Sequence, residues 1–469
     1  MILPLQKLLH PRPLAALLLL VNFITAPALA DDVRILPETV RGTAGHFRVG
    51  HTAEGRWWFL DPADKPFLYR GVCGVNRAGT QGGRRAMPGP YAEAVDAKYG
   101  YPESPARFVT ATLERLRAWN FNALGAWATA EFFDQGMPFT EILEFAKVGP
   151  QLELPGVHVP DVFSPDWIAA VDAQAKLICT PLRESRDLIG YFTDNELGWG
   201  QPETDEIWGA PDSVNRRGPT LLQACLTAPE ETAAHAAAWK FVLDRHGNDF
   251  AGVAKAWGLK TPNREAFIAA TRDGLVVLTK GYGEDHAAFT RLFVRRYVQL
   301  CAEAIRKYDP NHLILGARFG APPGVHVLSE FKSPWVDVVS ANNYRPKMRD
   351  RVEIYHHPAG MPILIGEFAW ASPPFSDPRH LPPEARTDIP AHIRKAGPAS
   401  LEEAFTHPAL VGYTWYRWVQ DAKNGIGYGL VDRADEPVPL NIELVTETNA
   451  RLEAIARGEI IAPHFRTQP

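Results

Sequence analysis

Short apolar runs bounded by turn residues or charges recur along this chain, with helically periodic stretches between them. The runs are Phe67–Cys73, Asn122–Trp127, Pro138–Phe145, Leu188–Thr193, His312–Ala317, Val336–Ala341, Pro362–Gly366 and Leu410–Thr414. Their apolar character is continuous rather than alternating, as in strands buried on both faces. Arg107–Trp119 places Phe108, Thr112, Leu116 and Trp119 near one helical face. Ser164-Pro165-Asp166 opens another helix, with Ser as N-cap, proline in the first turn and an acid at the positive dipole end. Glu284–Tyr308 is long and amphipathic and stops before Pro310. Ser400-Leu-Glu-Glu403 reads as a capping box that starts a helix. Asn441–Arg457 is the last helix, and short ones are expected near Glu131–Gln135 and Val325–Lys332. Eight strands alternating with helices predict an α/β fold, a (β/α)8 TIM barrel.

Four stretches exceed a minimal barrel. His46–Pro66 carries Glu54-Gly55 between extended segments, so 31–66 is expected to form an N-terminal hairpin cap. Ala78–Pro105 follows strand one, Gln201–Gly283 strand four and Ala371–Pro398 strand seven. They are expected to be long βα loops, with a helical insertion at 201–283, around the active-site face of a barrel spanning 67–469. No second domain and no repeat of fixed period emerges.

The first residues read differently. Lys7, His10 and Arg12 precede an apolar run from Leu14 to Ile24, and Ala28-Leu29-Ala30 fits a small-residue cleavage site. Residues 1–30 are expected to be a signal peptide cut after Ala30, giving a periplasmic or secreted protein with no membrane segment left. The net charge of −5 and the lack of a long basic block argue against nucleic acid as a partner. The four cysteines, Cys73, Cys179, Cys225 and Cys301, form no CxxC pattern. Export would permit disulfides, and spacing leaves any pairing open. His356-His357 are adjacent and do not converge on one ion, so no metal is expected. No GxSxG elbow, P-loop or dinucleotide motif is present, and no cofactor is expected. Oligomeric state stays open.

The chemistry lies in two glutamates at strand ends. Glu196 closes Gly190-Tyr-Phe-Thr-Asp-Asn-Glu196, and Glu367 closes Pro362-Ile-Leu-Ile-Gly-Glu367. A buried strand that delivers a carboxylate is costly unless the acid is used. Two such acids on one barrel rim match a retaining glycosidase, whose proton donor and nucleophile stand roughly 5–5.5 Å apart. Glu196 fits the donor, with nearby acids and apolar bulk expected to raise its pKa. Glu367 fits the nucleophile, kept ionised by Tyr344 as hydrogen-bond donor and by Arg318 or Arg70 as cation. Asn195 is placed to bond a sugar hydroxyl. Trp415, Trp127, Trp199 and Trp370 are aromatic candidates for sugar stacking. Asn76 and Asn343 are polar candidates on the same rim.

Asn195-Glu196 after strand four and Glu367 after strand seven resemble the retaining (β/α)8 glycoside hydrolases of clan A. Gly190-Tyr-Phe-Thr-Asp-Asn-Glu-Leu-Gly-Trp199 resembles the β-agarase family, family 50, with family 42 β-galactosidases next closest. Ala238-Trp-Lys-Phe-Val-Leu-Asp-Arg-His-Gly247 with Ala254-Lys-Ala-Trp-Gly258 is similar to a helical segment in both, although His246 and Lys255 depart from the pattern. The resemblance runs from Trp57 to Arg457. It implies retaining hydrolysis, with Glu196 as acid/base, Glu367 as nucleophile and Asn195 and Tyr344 in support. The implied substrate is a β-linked galactoside or related oligo- or polysaccharide. Many family 50 proteins carry an extra N-terminal carbohydrate-binding-like module, which is expected to be absent here because roughly 36 residues separate the expected cleavage site from strand one. Two alternatives share these residues: a non-catalytic carbohydrate-binding barrel and a transglycosylase.

Overall fold

The computed structural model describes residues 33–81, 88–101, 103–201, 218–274, 277, 279–420 and 427–462. The expected signal peptide at 1–30 lies outside them.

Eight strands form one parallel sheet: Tyr69–Val72, Ala123–Leu124, Phe139–Ile142, Leu188–Phe192, Leu313–Ile314, Val339–Asn342, Ile363–Phe368 and Leu410–Trp415. Strand eight pairs with strand one, so the sheet curls on itself. The chain after strand five reaches strand six through a parallel bridge between Phe319 and Ala341. There Phe319 N donates to Ser340 O (3.0 Å) and Asn342 N to Phe319 O (2.7 Å). Sequence order and spatial order therefore agree around a TIM-like barrel, numbered below from strand one at Tyr69–Val72. Every residue of strands four, six, seven and eight is buried, which accounts for their continuous apolar runs.

The helices follow from local signals. Ser164 Oγ accepts from Trp167 N and starts Pro165–Leu182. The long helix is Lys280–Tyr308, capped by Thr279. The expected capping box at Ser400 is not a helix start. Asp388 caps Ile389–Ala404 by accepting from Ala391 N, with proline in its first turn, and the helix continues through Pro398. Ser400 is buried inside it and bonds Pro346 O. An earlier and better cap wins, and the Ser-x-x-Glu spacing is incidental.

Three antiparallel strands, Arg48–His51, Trp57–Leu60 and Pro66–Phe67, precede the barrel. Arg56 donates to the carbonyls of Phe405, His407 and Leu410, which fixes this small sheet at the N-terminal end of strand eight. A second antiparallel sheet, unforeseen from the sequence, joins Gln151–Leu154 and Val157–Pro160 to Gly198–Trp199. Helices Leu221–Thr227, Ala233–Arg245, Phe250–Trp257 and Arg264–Arg272 lie between strand four and the long helix. His246 Nε2 (2.5 Å), Arg245 Nε (2.6 Å) and Trp257 Nε1 (2.8 Å) converge on Asp285 of that helix. The motif spanning 238–258 thus supplies an anchor, and His246 belongs to it. The four cysteines are buried, and none of them is in a disulfide.

Candidate active site

Glu196 and Glu367 lie just past and near the C-terminal ends of strands four and seven, and one hydrogen-bond network connects them. Tyr344 Oη donates to Glu367 Oε2 (2.5 Å), and Arg318 Nη2 donates to Glu367 Oε1 (2.6 Å). Arg318 Nε donates to Asn195 Oδ1 (2.8 Å). Asn342 Nδ2 donates to Asn195 Oδ1 (3.2 Å) and to Glu196 Oε1 (2.9 Å). Arg318 is the expected cation. Arg70 is not: it bonds Asn120 O and faces Glu453, away from the glutamates.

Local backbone features aim these groups. The register between strands six and seven shifts at Ala341/Asn342, where Asn342 pairs with Glu367. Such an irregularity redirects a side chain that regular pleating would turn away. Glu196 (φ 54°), Arg318 (φ 49°), Trp127 (φ 65°) and Glu144 (φ 52°) all adopt left-handed backbone, as residues at functional sites often do. Gly320 leaves room for Glu196, since a Cβ there would lie 3.0 Å from the Glu196 Cγ.

Burial separates the two acids. Burial pushes the Glu367 carboxyl up, opposed by Arg318, reinforced by Glu196 and opposed again by the Tyr344 bond; the net shift is upward. Arg318 is fully buried and remains charged beside Glu367. Breaking such a buried pair costs far more than forming it gains. Glu196 is exposed, so the apolar enclosure expected for it is not there. That environment belongs to Asp194, which burial pushes up to about 7 despite bonds from Tyr297 and Ala146 N.

The remaining predicted residues divide. Asn195, Tyr344, Arg318 and Asn343 gather around the glutamates. Asn343 N donates to Glu367 O (2.9 Å). Trp415 is fully buried, packs edge-on against Trp370 at 4.6 Å and donates to Tyr428 O. Trp370 is also fully buried and bonds Asn441, so neither ring offers a face to a sugar. Trp127 is buried under the Arg318 guanidinium, 4.8 Å from its ring centroid. Trp199 is buried against Tyr297 and Phe331. The Asn76 side chain ties its own loop to Thr80, Trp127 and Gly79.

Sequence reasoning pointed to Asn343 and missed its neighbour Asn342, which is the one that donates to Glu196. It also missed Cys73, whose Sγ lies 3.7 Å from Arg318 Nη2. Tyr416 and Tyr428, both partly exposed, make edge contacts with Tyr344 and with each other at 5.9–6.2 Å. The tyrosine of Gly412-Tyr-Thr-Trp415-Tyr-Arg-Trp418 was the available signal for Tyr416. A cavity of about 310 Å³ opens beside the network, with Asn342, Asn343, Tyr344 and Tyr355 among its walls.

No protein-family model matches the sequence. The chain is similar to β-agarase B of Vibrio sp. (strain JT0107), 25% identical over 295 residues that make up 60% of this chain and 29% of that protein. It is 22% identical to β-agarase A of the same strain over 482 aligned positions, covering 88% of this chain and 46% of the relative. The chain thus spans less than half the length of these relatives. An exo-β-agarase structure superposes with a TM-score of 0.68 at 20% identity, covering 91% of this chain and 68% of that one. The agarase AgWH50C superposes at 0.66 and 20% identity, covering 89% and 66%. The fold is shared with these enzymes.

Proposed function

We propose that the protein is an exported retaining glycoside hydrolase that cleaves β-linked galactans or their oligosaccharides. The observation that carries this reading is the unequal treatment of two nearby carboxyls. Glu367 is buried and held by an arginine and a tyrosine, as an ionised nucleophile needs, while Glu196 is open to solvent and steadied by one amide. In the reaction Glu367 attacks the anomeric carbon as Glu196 protonates the departing glycosidic oxygen. Water, deprotonated by Glu196, then releases the sugar from the covalent glycosyl-enzyme. Asn195 supports a sugar hydroxyl, and Tyr344, Tyr416 and Tyr428 form the apolar wall that Trp415 was expected to provide. The likeness to β-agarases favours a galactan backbone. We further read residues 1–30 as the export signal, 31–66 as a cap and 67–469 as the catalytic barrel.

The test is hydrolysis over a panel of β-linked galacto-oligosaccharides and aryl glycosides, with proton NMR of the first-formed anomer. Retention of configuration is expected. Inversion, or undiminished turnover in Glu367→Ala, overturns the assignment.

A further inference from the structure

Two arginines are the charged side chains that line the cavity beside the two glutamates. Arg345, Arg351 and His380 line it, and no carboxylate among the described residues does. Arg351 is 7% exposed, and its charge is felt at the Tyr355 hydroxyl in the same wall. Arg345 is exposed and makes no ion pair among the described residues. Asp377, close to His380, is bonded to Arg379. Glu196 adjoins the wall at Gly320, and its charge is felt at the Tyr355 hydroxyl together with that of Arg351.

The amides point the same way. Asn343 Oδ1 accepts from Arg345 N, and its Nδ2 has no partner among the described residues. Asn342 Oδ1, an acceptor, is turned to strand seven, 2.7 Å from where a Cβ on Gly366 would sit. A neutral sugar presents hydroxyls that both donate and accept, and is matched by mixed walls. A carboxylate or sulfate only accepts, and is matched by donors and cations.

We propose that this cavity receives an anionic substituent, a carboxylate or a sulfate ester, on the saccharide unit beside the scissile bond. Arg351 is the buried contact, with Arg345 and His380 at the rim. The proposal deepens the glycosidase reading and rests on it for the saccharide, so its test is binding rather than turnover.

The full-length Glu196→Gln protein is titrated calorimetrically with three β-linked galacto-oligosaccharides of equal length: neutral, uronate-bearing and sulfated. At least one anionic ligand is expected to bind about tenfold or more tightly than the neutral one, with the advantage shrinking as salt rises. Which anion wins identifies the substituent. Arg345→Gln/His380→Gln should reduce the advantage without changing neutral binding. Arg351→Lys, which keeps the charge but not the fork, should reduce it further. Equal affinities for all three ligands overturn the proposal, as does an advantage untouched by these substitutions. Absence of hydrolysis by the unmutated protein, with selective anion binding intact, overturns the glycosidase reading alone.

Discussion

Glu367 is the residue whose surroundings most constrain the chemistry. Tyr344 and Arg318 both stabilise its ionised form against burial. Tyr344→Phe removes a donor to that form, so the Glu367 carboxyl rises further. Fewer molecules are ionised at a given pH, and the acid limb of the kcat/KM profile should move to higher pH. A loss of about ten- to a hundredfold near neutrality is expected for one charge-assisted bond; an unmoved limb would remove Tyr344 from this role. Glu196→Ala should cost about 10²–10⁴-fold on natural glycosides, which need protonation of the leaving oxygen. Aryl glycosides with acidic leaving groups should lose much less. Steady-state kinetics on paired substrates checks the difference.

Among the elements, the helical segment after strand four depends on Asp285. Three donors converge on a carboxylate that is 1% exposed in its side chain. Asp285→Ala leaves them without an acceptor. The expected destabilisation lies at the low end of about 3–5 kcal/mol, because Arg245 is 43% exposed. Urea unfolding of the full chain measures it. This anchor also shows what was readable in advance. The helical segment was recognised in the sequence, but its purpose was not, because Asp285 is remote along the chain and looks like a surface residue of an amphipathic helix. The eight strands were legible because burial on both faces leaves an unbroken apolar run. Glu196 and Glu367 stand out as candidates because a carboxylate ending such a run is conspicuous, and the hydrogen-bond network does connect them. Asn342 was not legible, since composition does not tell which of two neighbouring asparagines turns toward Glu196. The tryptophans misled for a related reason: burial and sugar stacking ask for the same residue type.

At the scale of the whole molecule, Asp435 joins the chain after strand eight to the region after strand one. It accepts from Tyr91 (2.8 Å), Tyr99 (2.7 Å) and Arg115 (2.9 Å), and Lys98 lies 3.2 Å away. Burial raises its pKa, but the Arg115 charge and these bonds outweigh that, and the net shift is downward. Its contribution to stability is therefore complete above the ordinary aspartate range of about 3.9 and disappears as pH falls through the lowered folded value. Asp435→Asn should lower the melting temperature at pH 7, and the deficit should narrow in acid; thermal melts from pH 7 to 2.5 would show it. A deficit constant across that range would mean that the charge contributes nothing.

The left-handed backbone at Glu196 has a consequence for the protein's history under selection. A glycine or asparagine would occupy that position with less strain, by roughly 1–2 kcal/mol. A lineage selected for heat tolerance alone would thus find stabilising changes at the position proposed to protonate the leaving group. Libraries screened only for survival on heating should accumulate folded, inert variants at position 196, so a thermostable catalyst has to be bred with turnover scored in every round.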